Sequence, residues 1–145
     1  MRIDQLNSLT SARLSTIDAD ATLRAAALSF SKPGIGLVVV CDGNGAAAGV
    51  LTKSDLIRHL ANSGPVQTIA ATLMSQPIIY CTPGDDVHSV WQTMAAQRLQ
   101  NLPVLGGDRR PLGILDVRDA MKALFEEEEF QERLLTNYIA GIGYQ

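Results

Sequence analysis

Gly49-Val50-Leu51-Thr52-Lys53-Ser54-Asp55 recurs with changes 64 positions further along the chain, as Gly113-Ile114-Leu115-Asp116-Val117-Arg118-Asp119. In both copies, two apolar residues follow a glycine, and an acidic residue comes four positions after the second of them. A short apolar run that leads into a capping residue and an acidic first turn is typical of a strand passing directly into a helix. The sequence therefore predicts the same strand–helix junction twice.

The repeat extends well beyond this stretch. Sliding the sequence by 64 positions aligns Leu9–Leu60 with Leu73–Leu124 without a gap, and eight of the 52 pairs are identical. The apolar pattern is the better indication. Four residues at spacing i, i+3, i+4, i+7 recur at equivalent positions, namely Leu23, Ala26, Ala27 and Phe30 in the first copy and Val87, Val90, Trp91 and Met94 in the second. Both segments are therefore predicted to be amphipathic helices with the same buried face.

Each copy predicts the order strand, helix, strand, turn, strand, helix. The middle strands are predicted at 37–41 and 102–105, the last strands at 49–51 and 112–115, and the last helices at 54–61 and from 117 onward. Opening strands are predicted at 78–82 and, less clearly, at 14–17, and a short helix at 66–74. A unit of about 60 residues is only marginally stable alone. We therefore expect an α/β fold of the α+β type, with two units packed sheet to sheet about a pseudo-twofold axis and two equivalent clefts between them.

The repeated unit resembles the CBS domain, named after cystathionine β-synthase, in its usual tandem pair. The resemblance spans residues 8–125 and depends most on the signature of a glycine, two apolar residues, Thr or Ser, and an Asp three positions later. Gly49–Asp55 matches this signature fully, whereas the second copy has Asp116 at the Thr/Ser position. Pro103-Val104 carries a second family feature, of which Val39-Val40 keeps only the valine. The implied domains are 8–63 and 64–125, followed by a helical tail at 126–145.

The resemblance implies a regulatory module without catalytic activity. Such modules bind adenine nucleotides or related adenosyl compounds, such as AMP, ADP, ATP or S-adenosylmethionine, in the clefts between units. The signature Asp holds the ribose hydroxyls and the Thr/Ser faces the phosphate. Carried over to this chain, these roles fall to Asp55 and Thr52 in the first cleft and to Asp119 in the second. No further cofactor or metal is implied.

The residues themselves are compatible with this role. Thr52 stands where free backbone N–H groups and the helix dipole accept an anion, and Lys53 adds a charge-assisted contact. The Asp55 carboxylate can accept from two vicinal hydroxyls. Thr52-x-x-Asp55 is equally typical of a capping box, in which the two residues bond each other's backbone. Asp116 is likewise an ordinary N-cap.

The second cleft is expected to differ from the first. Asp116 places a negative charge where the first copy has a hydroxyl, and this charge repels phosphate at close range. Arg118 can compensate by contacting the phosphate or by pairing with Asp116. We therefore expect the first cleft to be preferred by phosphorylated nucleotides.

Composition excludes several other classes. The net charge is −3, with 12 Lys and Arg against 15 Asp and Glu, which disfavours nucleic-acid binding through a basic patch. No apolar run approaches the ~20 residues that span a bilayer, and Asp4 interrupts any signal peptide, so we expect a cytoplasmic protein. Cys41 and Cys81 form no zinc pattern and are expected in buried strands. His59 and His88 have no nucleophile at a suitable spacing, so a small hydrolase is disfavoured. The alternative function is a structural or protein-interaction module without a ligand.

The tail continues the last helix. The apolar residues of the last helix and the tail keep helical spacing around an acidic run at Glu126–Glu129, and they comprise Met121, Leu124, Phe125, Phe130, Leu134 and Tyr138, with Ile139, Ile142 and Tyr144 beyond. An apolar stripe needs a surface to cover, so we expect the tail to pack on a second subunit. The resemblance also implies a homodimer, and a regulated protein is a further expected partner.

Overall fold

The structure is a computed structural model that describes residues 1–143, with side chains as far as Ala140. The side chains of Ile142 and Tyr144, predicted above as part of the apolar tail, lie outside the described part. The strands are β1 (Thr16–Asp18), β2 (Val38–Cys41), β3 (Ala47–Leu51), β4 (Asn101–Leu105) and β5 (Pro111–Asp116). The helices are α1 (Asn7–Ala12), α2 (Leu23–Phe30), α3 (Lys53–Ala61), α4 (Ala70–Leu73), α5 (Val87–Gln97) and α6 (Val117–Gly143).

The predicted repeat is confirmed by the strand register. In the first unit β2 pairs antiparallel with β3, and Val38 lies opposite Leu51. In the second unit β4 pairs with β5 in the same way, and Leu102 lies opposite Leu115, 64 positions on. Even the irregularity in the ladder recurs, after Val40 in one unit and after Val104 in the other.

The opening strand differs between the units for a chemical reason. In the first unit β1 runs parallel to β2, and the Val39 N–H donates to the Ser15 carbonyl. The equivalent of Val39 is Pro103, which has no N–H to donate. The strand predicted at 78–82 is therefore reduced to a single bridge between Cys81 and Val104.

The short helix predicted at 66–74 is also smaller, because α4 begins only at Ala70. The preceding residues are held in an extended conformation by the start of α2. The Leu23 N–H donates to the Thr68 carbonyl at 2.8 Å, and the Ala70 N–H donates to the Ala21 carbonyl at 2.7 Å. These long-range bonds override the local helical pattern.

The two sheets pack face to face, as predicted. Alternate residues of β2 point to opposite sides, so Val38 and Val40 pack with the helices of the first unit, whereas Val39 faces the second sheet. The shared cluster between the sheets contains residues from both units, namely Leu37, Val39, Cys41, Ala47, Ile78, Leu105 and Ile114. A separate cluster fills the second unit around Met94 and Leu115.

Each unit is also contacted by a short helix that belongs to the other unit. Helix α1, at the start of the first unit, packs on β5 of the second, and α4, near the start of the second unit, contacts β3 of the first. The signature glycines allow this approach. A Cβ at Gly113 would lie 2.7 Å from the backbone of Thr10, and one at Gly49 would lie 2.5 Å from Met74 Sδ. The units are therefore interlocked.

Helix α6 begins in the second unit and extends well beyond it. Its 27 residues span about 40 Å at 1.5 Å per residue. The first turns pack against α5 and β5, whereas residues 128–140 are exposed on every side. Among residues 1–143, none of the helices combines the length and the apolar character that a bilayer crossing requires.

Candidate functional site

A cavity of about 590 Å³ opens between the two units at the start of α3. One wall comes from the first unit, including Thr52, Lys53 and Ser54, and the other from the second unit and the segment leading into it. The remaining lining residues are Gly36, Leu37, Val50, Ser75, Pro77, Ile79, Arg98, Leu99, Gln100, Asn101, Leu102 and Pro103. The cavity therefore occupies the position expected of the first cleft.

Thr52 and Asp55 form a capping box, which was one of the two interpretations of their spacing in the sequence. The Asp55 backbone N–H donates to the Thr52 hydroxyl at 3.3 Å, and the Thr52 N–H donates to Asp55 Oδ2 at 2.8 Å. The other carboxylate oxygen, Oδ1, accepts only a long contact of 3.4 Å from the exposed Arg58. One oxygen of Asp55 is thus committed to the helix end, and the other retains acceptor capacity.

Asp55 does not line the same cavity as Thr52. Its side chain faces a neighbouring cavity of about 410 Å³, together with Arg58, His59, Asn62, Gly64, Thr72 and Leu73. The structure thus brings Thr52 and Lys53 together in the first cleft and leaves Asp55 outside its lining.

The charges that line the first cleft are all positive. Among the described residues, Lys53 and Arg98 are its charged lining residues, and no Asp or Glu lines it. The sequence reasoning above missed Arg98. Its backbone is left-handed (φ 56°), as is that of Gly34 (φ 82°), the residue at the equivalent position of the first unit. Comparing the repeats at this position is the signal that could have singled it out.

The signature residues of the second cleft are paired with arginines. Asp116, which is 3% exposed, accepts from the Arg118 backbone N–H at 2.8 Å and from both Nε and Nη2 of its guanidinium, at 3.1 and 2.8 Å. These hydrogen bonds from Arg118 hold the pKa of Asp116 below its usual value of 3.8, against the opposing effect of burial. Of the two roles predicted for Arg118, the structure contains the pairing with Asp116.

Asp119 is held by a residue that the sequence did not single out. Arg13 Nε donates to Asp119 Oδ2 at 2.7 Å, and Nη2 donates to Oδ1 at 3.3 Å. Hydrogen bonding to Asp119 raises the pKa of Arg13. The pair joins positions 106 residues apart, and no local pattern marks such a contact.

The histidines and cysteines have environments that explain them without a catalytic role. The His59 ring lies 2.9 Å from the Pro65 carbonyl, and His88 packs beside Trp91. Both cysteines are buried, and burial raises the pKa of the Cys81 thiol to about 12. Among the described residues, no three His, Cys, Asp or Glu side chains are grouped to hold a metal ion.

The model of the CBS domain matches this chain twice, over residues 7–62 and 69–126. Together these matches cover most of the chain, which therefore belongs to the CBS domain family. Among curated proteins, it is 28% identical over 135 residues to protein MK0525 of Methanopyrus kandleri, covering 85% of this chain and 69% of that protein.

Two solved structures of CBS proteins share the fold and contain ligands. The CBS domain pair of protein MJ0100, in complex with 5′-methylthioadenosine and S-adenosyl-L-methionine, is 20% identical with a TM-score of 0.73, covering 88% of this chain and 98% of the other. The CBS domain protein PAE2072 from Pyrobaculum aerophilum, complexed with AMP, is 21% identical with a TM-score of 0.72, covering 82% and 89%. Structural neighbours of this fold thus bind small adenosyl ligands.

Proposed function

We propose that this protein is a regulatory module that binds a phosphorylated adenosine ligand in the first cleft. The observation that carries the proposal is the charge of the cavity between the units, where Lys53 and Arg98 are opposed by no carboxylate among the lining residues. A nucleoside phosphate is an anion, whereas the sulfonium group of S-adenosylmethionine is a cation. The cleft therefore favours AMP, ADP or ATP.

The lining provides a place for each part of such a ligand. Apolar side chains from both units, including Leu37, Val50 and Ile79, offer a surface for the adenine ring. Thr52 and Lys53 at the start of α3 face the phosphate, assisted by the helix dipole. Asp55, which lines the neighbouring cavity, is assigned the ribose hydroxyls through Oδ1 while Oδ2 remains bonded to the Thr52 N–H. These roles for Thr52, Lys53 and Asp55 are part of the proposal.

Occupancy is the signal in this proposal. A ligand held between two interlocked units favours the arrangement that encloses it, and a separate regulated protein reads that change. The location proposed for this exchange is the cytoplasm. The relatives that bind AMP or S-adenosylmethionine support an adenosyl ligand in general. The positive charge of the cleft is the reason for proposing a nucleotide in place of S-adenosylmethionine.

Removing either cation should weaken nucleotide binding. We expect Lys53→Ala and Arg98→Gly each to raise the Kd for AMP about tenfold, because a charge-assisted hydrogen bond contributes about 1.5–3 kcal/mol and 1.4 kcal/mol corresponds to tenfold. Glycine suits the left-handed backbone at position 98, so this change removes the charge without straining the fold. Titration calorimetry with AMP, ADP, ATP and S-adenosylmethionine measures the effect.

Arg24→Ala is the matched control, because Arg24 is exposed on α2 and lines none of the cavity. Unchanged AMP affinity is expected for this variant. Tighter binding of S-adenosylmethionine than of any nucleotide contradicts the proposed ligand class. No rise in melting temperature with any of the four compounds favours the alternative, a ligand-free structural or interaction module.

The proposal includes a homodimer formed through the tail. Residues 128–140 of α6 are exposed throughout, although they contain Phe130, Leu134, Leu135, Tyr138 and Ile139. A single helix bearing such a stripe gains stability by packing the stripe against another surface. A second copy of α6 offers the same stripe.

Truncation tests the dimer. Deleting residues 126–145 should convert a dimer into a monomer of about half the mass, as measured by light scattering coupled to size exclusion. Leu134→Glu is expected to act in the same direction, because it places a charge within the stripe, whereas Gln131→Glu, at an exposed polar position, should leave the mass unchanged. A full-length chain that is already monomeric, or a truncated chain that remains dimeric, refutes this mode of association.

A further inference from the structure

We infer that Arg13 is an internal occupant of the second cleft, which closes that cleft to nucleotides and leaves Asp119 as a masked site for a cationic adenosyl ligand. The inference deepens the proposed function and rests on it for the nature of the ligands. It depends on a comparison of the two clefts, position by position.

The repeat places Arg13 inside the second cleft. Position 13 corresponds to position 77, and Pro77 lines the first cavity. Arg13 donates through Nη1 to the Gly34 carbonyl at 3.1 Å, and the same nitrogen lies 3.6 Å from Asp116 Oδ2. Gly34 and Asp116 are the equivalents of Arg98 and Thr52, which also line the first cavity. The guanidinium thus contacts the residues that a ligand of the second cleft would meet.

The pairing with Asp119 leaves little for a ribose to bind. Both carboxylate oxygens of Asp119 accept from the fork of the Arg13 guanidinium. Bidentate pairing of this kind is strong and geometrically specific. The equivalent carboxylate in the first unit, Asp55, accepts from the Thr52 N–H through Oδ2, and its Oδ1 has only a 3.4 Å contact with the exposed Arg58. A ligand can use Asp119 only after displacing Arg13.

The charge of the occupant defines what could replace it. Arg13 is a cation held between two carboxylates, those of Asp116 and Asp119. Removing it leaves Asp116 neutralised by Arg118 and Asp119 without its guanidinium. Such a cleft repels phosphate and attracts a positive group. The adenosyl compound of that charge is a sulfonium such as S-adenosylmethionine.

The test is a gain of binding. We expect wild-type protein to bind one AMP per chain, and Arg13→Ala to keep that stoichiometry while acquiring a site for S-adenosylmethionine that wild type lacks. Adding Asp119→Ala to Arg13→Ala should remove the new site. Arg58→Ala is the control, because it removes the corresponding partner of Asp55 and should create no such site. Titration calorimetry counts the sites in each case.

Should Arg13→Ala fold poorly, Arg13→Lys keeps the charge but loses the fork, and a weaker gain of S-adenosylmethionine binding is expected. Two AMP molecules bound per wild-type chain, or no new site in either Arg13 variant, overturns the inference. The outcome is separable from that of the proposed function. Wild type that binds no AMP defeats the proposed ligand, whereas a gain of binding that depends on Asp119 still supports Arg13 as the occupant.

Discussion

Replacing Leu51 by alanine should lower the free energy of unfolding by about 2–5 kcal/mol, the usual cost of removing a buried leucine side chain. Leu51 ends β3 and is 0% exposed within the cluster that fills the first unit. The cavity left behind is bounded by a strand and by helices fixed elsewhere, so the surroundings can collapse only partly. Urea denaturation followed by circular dichroism measures the loss.

The Leu51→Ala substitution should destabilise the second unit as much as the first. Trp91 is the sole tryptophan of the chain and packs beside the cluster of the second unit. Because α1 and α4 cross between the units and the sheets share a core, the fluorescence of Trp91 should follow the same shifted transition as circular dichroism. Leu28→Ala is the control, since Leu28 is 64% exposed and its loss should cost less than about 0.5 kcal/mol. An unshifted Trp91 transition in Leu51→Ala would show that the units unfold separately.

Alanine at Gly113 should destabilise the protein more than alanine at the equivalent Gly49. At Gly113 the added Cβ lies 2.7 Å from the backbone carbon and oxygen of Thr10. The backbone of a packed helix cannot relieve such a clash by rotating a side chain. At Gly49 the nearest atoms are Sδ, Cγ and Cβ of Met74; rotation of this side chain can move Sδ and Cγ, whereas Cβ, at 2.9 Å, moves only with its backbone. Overpacking costs about 1–3 kcal/mol, so we expect about 3 kcal/mol for Gly113→Ala and a smaller loss, about 2 kcal/mol, for Gly49→Ala.

Chemical denaturation of both variants decides the matter. Gly43→Ala is a suitable reference, because nothing lies within 4 Å of a Cβ at that position. Equal losses at Gly49 and Gly113 would mean that α1 can move away from β5 as easily as a side chain rotates. A larger loss at Gly113 also has a functional consequence, because Arg13 is the C-cap residue that directly follows α1.

Much of the fold was predictable because it depends on short-range sequence patterns. The apolar spacing in α2 and α5 and the glycine-led runs of β3 and β5 follow from local periodicity, and the constant offset of 64 positions extended them to the pairing of strands. The exceptions have local chemical causes. Pro103 removes a ladder donor that Val39 provides, and the residues before Ala70 are drawn into extended pairing with the start of α2.

The candidate site was predictable only in part. Thr52, Lys53 and Asp55 stand out in the signature, but whether their oxygens cap a helix or face a cavity depends on a three-dimensional arrangement that spacing does not define. Arg13 was missed because it contacts residues distant in sequence, and Arg98 was missed because it lies outside the signature. Asp119 kept its place in the pattern while its carboxylate became engaged by Arg13.

The crossing of α1 and α4 between the units has a bearing on how such a chain could arise. A polypeptide with one unit would leave its final strand bare until the leading helix of a second molecule covered it, so its folding would require association. Joining two copies end to end makes that encounter intramolecular and independent of protein concentration. Fusion also frees the copies to diverge: in an assembly of identical molecules positions 13 and 77 are the same residue, whereas here one is arginine and the other is proline.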